Sequence, residues 1–334
     1  MKDKLTIIAE AGVNHNGVLK NALKLVDEAA KAKADYIKFQ IFFPDELSQE
    51  KHKLAKYQEK NSNIKTHFEL LSKLKLTLKE FRIIKTRCLR KKIKFLASPF
   101  DIPSIKFLKK INSKVIKIPS GEITNVPYLR LIGSLKRKII LSTGMSNLKE
   151  IKFAINILIK AGTKKKNISV LHCNTQYPAS VNNLNLLSIK FLKDKLKLNV
   201  GYSDHSLGYE ASLMALSLGA TIFEKHFTLN KKLSGPDHLS SLTPGELRNY
   251  IKKLRLFKKS IGFYNKKPSN IEMANAKIVR KQIVAKKNIF KGEKFSNDNI
   301  ATKRASKGIS ASNWDKIIGK RSKFNFKKNK NIKI

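Results

Sequence analysis

Residues 198–228, LNVGYSDHSLGYEASLMALSLGATIFEKHFT, decide the architecture. Leu198–His205 is a short apolar run with β-branched and aromatic residues, and so is Thr221–Thr228. Between them Tyr209–Leu218 reads as a helix. A strand, a helix and a strand in so short a span predict a βαβ unit with parallel strands. The same alternation extends toward the N-terminus, with strands at Leu5–Gly12, Tyr36–Phe42, Lys94–Phe100, Val115–Gly121, Lys138–Gly144 and Ile168–Asn174, and with a helix at Asn147–Ala161. Eight such units within about 250 residues predict an α/β fold closed as a (β/α)8 TIM barrel. The rival is an open, doubly wound sheet. That fold normally carries a glycine-rich dinucleotide loop after its first strand. Here the place is taken by Ala11-Gly-Val-Asn-His-Asn-Gly17, which lacks the spacing.

The barrel is expected to span residues 1–262, ending with a helix at Thr243–Ser260. Residues 263–277, containing Lys266-Lys-Pro-Ser-Asn270, read as a linker, and 278–334 as a small separate domain. Turn signals mark that domain at Phe290-Lys-Gly-Glu293 and Ser296-Asn-Asp-Asn299, and a Lys/Asn-rich tail ends it. The connection after the second strand, Phe43 to about Thr77, is long and has helical periodicity of its own. Such βα loops often cover a barrel's active site.

Composition narrows the function classes. With 41% apolar residues in 334, a sizeable core can be buried. No apolar run approaches the ~18 residues of a membrane span. The first residues lack the zones of a signal peptide. Cys88 and Cys173 give no disulfide framework and no Cys-x-x-Cys metal or redox site. Together these features predict a cytoplasmic protein. The formal charge of +46 raises the alternative of a nucleic-acid-binding module. Against it, the excess is mostly lysine and is spread along the whole chain, as a compositional bias would spread it. Nucleic acid is therefore not the expected partner.

Barrel chemistry sits at the C-terminal ends of the strands. Those ends carry Glu10; Lys38 and Gln40; Ser98; Lys117, Ser120 and Glu122; Ser142; His172, Thr175 and Tyr177; Ser203, Asp204 and His205; and Glu224, Lys225 and His226. Burying so many polar groups without ligands would cost several kcal/mol each. A wet, ligand-filled mouth explains them better. His205 and His226 end neighbouring strands and could chelate a divalent ion, or could be two hydrogen-bonded core histidines. Asp204 and Asp237 are possible outer partners of the pair. His15, His172 and His238 have no clear assignment, and His52 and His67 read as surface residues. Either Lys38 or Lys117 could be a Schiff-base lysine, as in an aldolase. The hydroxyls of Ser98, Ser120, Ser142 and Ser203 favour phosphate and carboxylate binding instead. Glu10 and Glu122 suit acid–base work or sugar hydroxyls, or are ion-pair partners of the two lysines.

In order along the chain stand Ile7-Ile-Ala-Glu-Ala-Gly-Val-Asn-His-Asn-Gly17, Ile37-Lys-Phe-Gln40, Ser98-Pro-Phe100, Lys117-Ile-Pro-Ser-Gly-Glu122, Leu141-Ser-Thr-Gly-Met145, Leu171-His-Cys-Asn-Thr-Gln-Tyr-Pro178, Gly201-Tyr-Ser-Asp-His205, Phe223-Glu-Lys-His-Phe227 and Gly235-Pro-Asp-His238. Across nearly its whole length the chain resembles the sialic acid synthase family, which includes N-acetylneuraminate and legionaminate synthases. The resemblance implies a barrel followed by an antifreeze-like (SAF) domain, which Ile289-Phe-Lys-Gly-Glu293 and Ile300-Ala-Thr-Lys-Arg304 fit. It implies condensation of phosphoenolpyruvate with an N-acylated mannosamine-type sugar, giving a nine-carbon acidic sugar and phosphate. Implied ligands of a divalent ion, Mn²⁺ with Mg²⁺ or Co²⁺ as alternatives, are His205 and His226. The implied phosphoenolpyruvate cradle is Lys38, Ser98, Lys117, Ser120, Ser142, Thr175 and Ser203. The implied sugar and acid–base residues are Glu10, Gln40, Asn61, Glu122, Tyr177 and Asp237. The resemblance also implies a domain-swapped homodimer in which Arg304 of the SAF domain contacts the sugar's N-acyl group. Ala305-Ser306 follows Arg304 where proline and a small residue are usual.

Overall fold

The computed structural model describes residues 5–54, 64–305 and 307–334. Asn61 and Ser306 lie outside the described residues. Two compact units divide the chain, Met1–Gly262 and Phe263–Ile334.

In the first unit eight strands alternate with helices: β1 Thr6–Gly12, β2 Tyr36–Ile41, β3 Lys94–Pro99, β4 Val115–Ile118, β5 Lys138–Ser142, β6 Ile168–Cys173, β7 Asn199–Asp204 and β8 Ile222–His226. They hydrogen-bond in the order β3-β2-β1-β8-β7-β6-β5-β4, every pair parallel. β3 and β4 lie side by side across the remaining gap and complete the ring. This is the expected (β/α)8 barrel. Most strands stop short of the ends read from sequence. β4 stops at Ile118 because Pro119 offers no N–H to the ladder, and Ser120–Glu122 turns as a 3₁₀ helix.

Side chains on each strand alternate between the barrel interior and the surrounding helices. Ile8, Leu96, Ile140, Leu171 and Ile222 form an apolar layer, with Tyr36 and Val115 packed against it. Two residues further along the same strands come Glu10, Ser98, Ser142, Cys173 and Glu224, with Lys38 and Lys117 beside them. One period of the pleat thus separates an apolar floor from a polar mouth. The outward faces pack on the helices in a single large core that includes Phe39, Phe81, Tyr128, Tyr202, Phe223 and Tyr250. Gly201 is needed for this closure, since a Cβ there would lie 2.3 Å from the backbone oxygen of Ile222 on β8.

Among the described residues the connection after β2 holds helices at Pro44–Leu47 and His67–Leu74, ahead of the barrel helix Leu78–Arg90. Val13, Phe42, Leu54, Leu70, Leu71 and Leu74 make a satellite cluster with Phe100 over the mouth. Thr66 caps the second helix by accepting from Glu69 N. The helix that ends the barrel, Pro244–Ser260, starts at a capping box of Thr243 and Glu246.

In the second unit β9 (Lys281–Ala285) and β10 (Ile300–Arg304) pair antiparallel. Ile283, Ala285, Ile289, Phe295, Ile300, Ile317, Phe326 and Ile332 form its core. A helix at Asn270–Val279, started by Ser269 and Glu272, has no buried residue. Among the described residues no helix is long and apolar enough to cross a membrane.

Candidate active site

The barrel mouth opens into a cavity of about 330 Å³. Of the residues singled out in the sequence it brings together Glu10, Lys38, Gln40, Ser98, Lys117, Ser120, Ser142, Thr175, Tyr177, Ser203, His205, His226 and Asp237. Phe42, Leu47, Leu70, Leu71, Leu74 and Met145 supply apolar lining.

At the bottom of the cavity lies a ring of charge. Lys38 Nζ is 3.1 Å from Glu10 Oε1, 3.2 Å from Glu224 Oε1 and 3.2 Å from Ser98 Oγ. Lys117 Nζ donates to Ser142 Oγ at 2.6 Å and lies 3.5 Å from Glu224 Oε1. Ser203 Oγ donates to Glu224 Oε1 at 3.0 Å. Glu224 is therefore the hub joining both lysines. The strand-end reading names it without giving it a role. The spacing Ile222, Glu224, His226 was the available signal, because residues two apart on a strand share a face.

The environment divides the two carboxylates. Burial pushes Glu10 up to about 7, with Lys38 opposing and the Glu224 charge adding to the rise. Glu224 is equally buried, but the Lys117 and Lys38 ammonium groups outweigh that burial and hold it down to about 2. Burial opposes the charge of Lys38, yet Glu10 and Glu224 raise it above the usual range. Lys117 is held below its usual value, by burial first. Near pH 7 the ring thus holds two lysines facing one firmly ionised carboxylate and one that is easily protonated. That excess of positive charge suits an anionic ligand. Gly12 stands at a register shift in β1 with φ +52°, and a Cβ there would lie 3.3 Å from Glu10 Oε1.

Above the ring the rings of His205 and His226 are 5.5 Å apart, centroid to centroid. The Nδ1–H of His205 donates to the backbone oxygen of Asn174, which leaves its Nε2 lone pair facing inward. Among the described residues His226 Nδ1 is buried without a hydrogen-bond partner, 3.7 Å from Asp237 Oδ2. Burial keeps both rings neutral, pulling His205 down to about 4 and His226 well below its usual value. Burial also raises Asp237 to about 6. Neutral imidazoles with an orphaned nitrogen are metal-ligand chemistry. Among the described residues no group of three or more His, Cys, Asp or Glu side chains converges for a metal. An ion held here would therefore take two protein nitrogens and leave its other positions to water and substrate. The Tyr177 ring lies 4.2 Å from that of His205, centroid to centroid, and is tilted to it by 34°.

Other candidates fall elsewhere. Glu122 does not line the cavity; it accepts from Asn125 Nδ2 at 2.6 Å in the 3₁₀ turn. Arg304 is exposed at the end of β10 in the second unit. Asp204 faces the helices, opposite to His205, and pairs with Lys225 at 3.0 Å. His172 bonds to Leu184 O at 2.7 Å, and His238 Nδ1 meets Thr228 Oγ1 at 2.7 Å. His15 Nδ1 accepts from Gly17 N at 3.1 Å. His172 and His238 are structural, whereas His15 Nε2 is buried without a hydrogen-bond partner among the described residues. His52 is exposed, whereas His67, read as a surface residue, lines the cavity because its helix folds over the mouth.

These buried histidines fix an acid sensitivity. His15, His205 and His238 are lowered to about 4, and burial holds His226 well below its usual value. Unfolded histidine titrates near 6.5, so between pH 6.5 and 4 the unfolded chain binds protons there that the folded chain does not. Stability from these groups is present above pH 6.5 and lost as pH falls toward 4. The raised Glu10 and Asp237 act oppositely in the same range, but four histidines outweigh two carboxyls. Melting temperature of the metal-free protein is expected to fall from pH 7 to pH 5. A rise over that interval in thermal melts would contradict the burial of the four rings.

Comparison with known proteins agrees with this fold. The sequence pattern of the NeuB family matches residues 25–266, and that of the SAF domain residues 280–332. The N,N'-diacetyllegionaminic acid synthase of Campylobacter jejuni subsp. jejuni is 48% identical over 331 residues, 99% of each chain. That of Legionella pneumophila is 39% identical over 322 residues, 96% of this chain and 90% of its own. A solved N-acetylneuraminic acid (sialic acid) synthetase from Leptospira borgpetersenii, in complex with citrate, matches with a TM-score of 0.72 at 35% identity, over 82% of this chain and 90% of its own. Barrel and C-terminal unit agree with these matches in order and extent: the chain belongs to the NeuB family and carries a SAF domain after its barrel.

Proposed function

We propose that this chain condenses phosphoenolpyruvate with 2,4-diacetamido-2,4,6-trideoxymannose, giving N,N'-diacetyllegionaminate and phosphate. The ring of Glu10, Lys38, Glu224 and Lys117, with its hydroxyls, carries the reading. It offers two buried ammonium groups to the phosphate and carboxylate of one small polyanion. Ser98, Ser120, Ser142, Ser203 and Thr175 add donors to the anion's oxygens. The acceptor is favoured by the 48% identity to a synthase of that product. The apolar wall of Phe42, Leu70, Leu71 and Leu74 suits the acetamido methyls and a C6 methyl better than a C6 hydroxyl.

In this reaction C3 of phosphoenolpyruvate attacks the aldehyde carbon of the open-chain sugar, and positive charge develops at C2. Water adds at C2, and the tetrahedral intermediate expels phosphate by C–O cleavage. Lys38 and Lys117 hold phosphate and carboxylate through both stages. Glu10, kept protonated by burial up to about pH 7, donates to the aldehyde oxygen as it becomes a hydroxyl. Glu122, outside the cavity and bonded to Asn125, is not given this role. Gln40, Tyr177 and Asp237 orient the sugar, as do Asn61 and Arg304, the last in a homodimer where the SAF domain of one protomer covers the other's barrel. His205 and His226 would hold a divalent ion, Mn²⁺ by preference, which supplies Lewis-acid polarisation of the aldehyde oxygen when bound. Holding two substrates in register contributes up to about 7–11 kcal/mol of the barrier reduction.

A second reading, a Schiff-base aldolase, is favoured by the lowered Lys117. Borohydride trapping of a substrate–lysine adduct decides it, and no adduct is expected. The main test is phosphate release from phosphoenolpyruvate with Mn²⁺, comparing the trideoxy sugar with N-acetylmannosamine. Release that requires the trideoxy sugar and stops with chelator supports the proposal. Release with N-acetylmannosamine alone moves the product to N-acetylneuraminate. No release with either sugar, from folded protein, overturns the reaction.

A further inference from the structure

A second cavity, of about 740 Å³, lies beneath the apolar floor of the barrel, at the end opposite the mouth. Its walls are the N-terminal ends of β2 to β5 and the turns leading into them. Among the described residues sixteen line it, of which seven are basic and none is acidic. In the whole chain 70 of 334 residues are basic, so the cavity holds about twice that share.

Lys94 and Lys138 open β3 and β5, and Lys114 directly precedes β4. Among the described residues none of the seven basic groups has a carboxylate at ion-pair distance. Asn112 Oδ1 accepts from Arg137 Nη2 at 2.9 Å and from Lys114 Nζ at 3.4 Å, which draws a guanidinium and an ammonium to one point. Lys94 Nζ rides 5.3 Å above the Tyr36 ring. The other face of the cavity is apolar, with Tyr36, Phe95 and an exposed Leu89.

We propose that this basal cavity is a second anion site that takes a nucleoside di- or triphosphate, with its phosphates on Lys114, Arg137 and Lys138 and its base against Tyr36 and Leu89. Converging cations without carboxylate partners repel one another, and an anion relieves that repulsion. Several adjacent cations, one a guanidinium fork, match several linked phosphates. The apolar face favours a ligand with a flat ring over inorganic phosphate. The volume lies within the range of small-molecule pockets, about 300–1,000 Å³. The site is separate from the mouth and does not depend on the reaction proposed there.

The test is calorimetric titration of the full chain with ATP and with CTP at about 150 mM salt, where attraction between distant charges is largely screened. One saturable site is expected. The K114E/R137E/K138E variant should weaken it at least about tenfold. The K20E/K24E/K149E variant, equal in charge change but on other helical faces, should leave it within about twofold. If the first variant fails to fold, K114Q/R137Q/K138Q is read in its place. Absence of saturable binding overturns the proposal, as does equal weakening in both variants, which would mean diffuse attraction. Binding of an RNA oligomer that neither nucleotide displaces also overturns it.

Discussion

Alanine at both His205 and His226 is expected to lower Mn²⁺-dependent turnover by at least about 10³-fold, since Lewis-acid polarisation is worth several kcal/mol. The fold should survive. The two rings sit at the top of the barrel, above the polar ring and the apolar floor, and neither belongs to the large hydrophobic core. The same variant should no longer gain melting temperature when Mn²⁺ is added, a readout that needs no substrate. Retained activity in a folded double variant would remove the metal assignment and return the pair to core histidines.

Asp204→Ala is expected to cost about 3–5 kcal/mol of stability, a fall of roughly 6–20 °C in melting temperature. Asp204 and Lys225 are each about 1% exposed. Lys225 Nζ lies 3.0 Å from Asp204 Oδ2 and donates to Ser206 O. Asp204 also accepts from Ser206 and, at 2.6 Å, from Ser212 Oγ, which meets Tyr250 OH at 2.9 Å. Removing the carboxylate leaves an ammonium buried against the helices, where burial already lowers its affinity for a proton. The pair adjoins His205 and His226, so it also fixes where β7 and β8 deliver their rings. Adding Lys225→Met to Asp204→Ala should recover much of the loss, because two apolar groups leave no charge unpaired. A single-variant loss below about 1 kcal/mol would show that water reaches the pair.

Burial, which no linear pattern states, separates the histidines into classes. His205 and His226 face the cavity, His15, His172 and His238 make local hydrogen bonds, and His67 enters the mouth with a helix that the sequence shows only as loop periodicity. Glu122 sits in a motif beside Ser120, yet the 3₁₀ turn at Ser120–Glu122 directs it to Asn125.

By itself the sequence determined the eight-fold alternation of strand and helix, the small C-terminal unit and the polar strand ends. Each depends on local periodicity: apolar residues at the helix repeat, side chains alternating on a strand, and turn residues between them. Only the tertiary structure decided that Glu224 joins Lys38 and Lys117, that Asp204 turns away from the site it was expected to serve, and that Glu10 and Glu224 titrate far apart. Those outcomes depend on distances between β1, β2, β4 and β8, strands far apart in sequence that meet only when the barrel closes. They also depend on the solvent that closure removes, which sets the charge of every group inside.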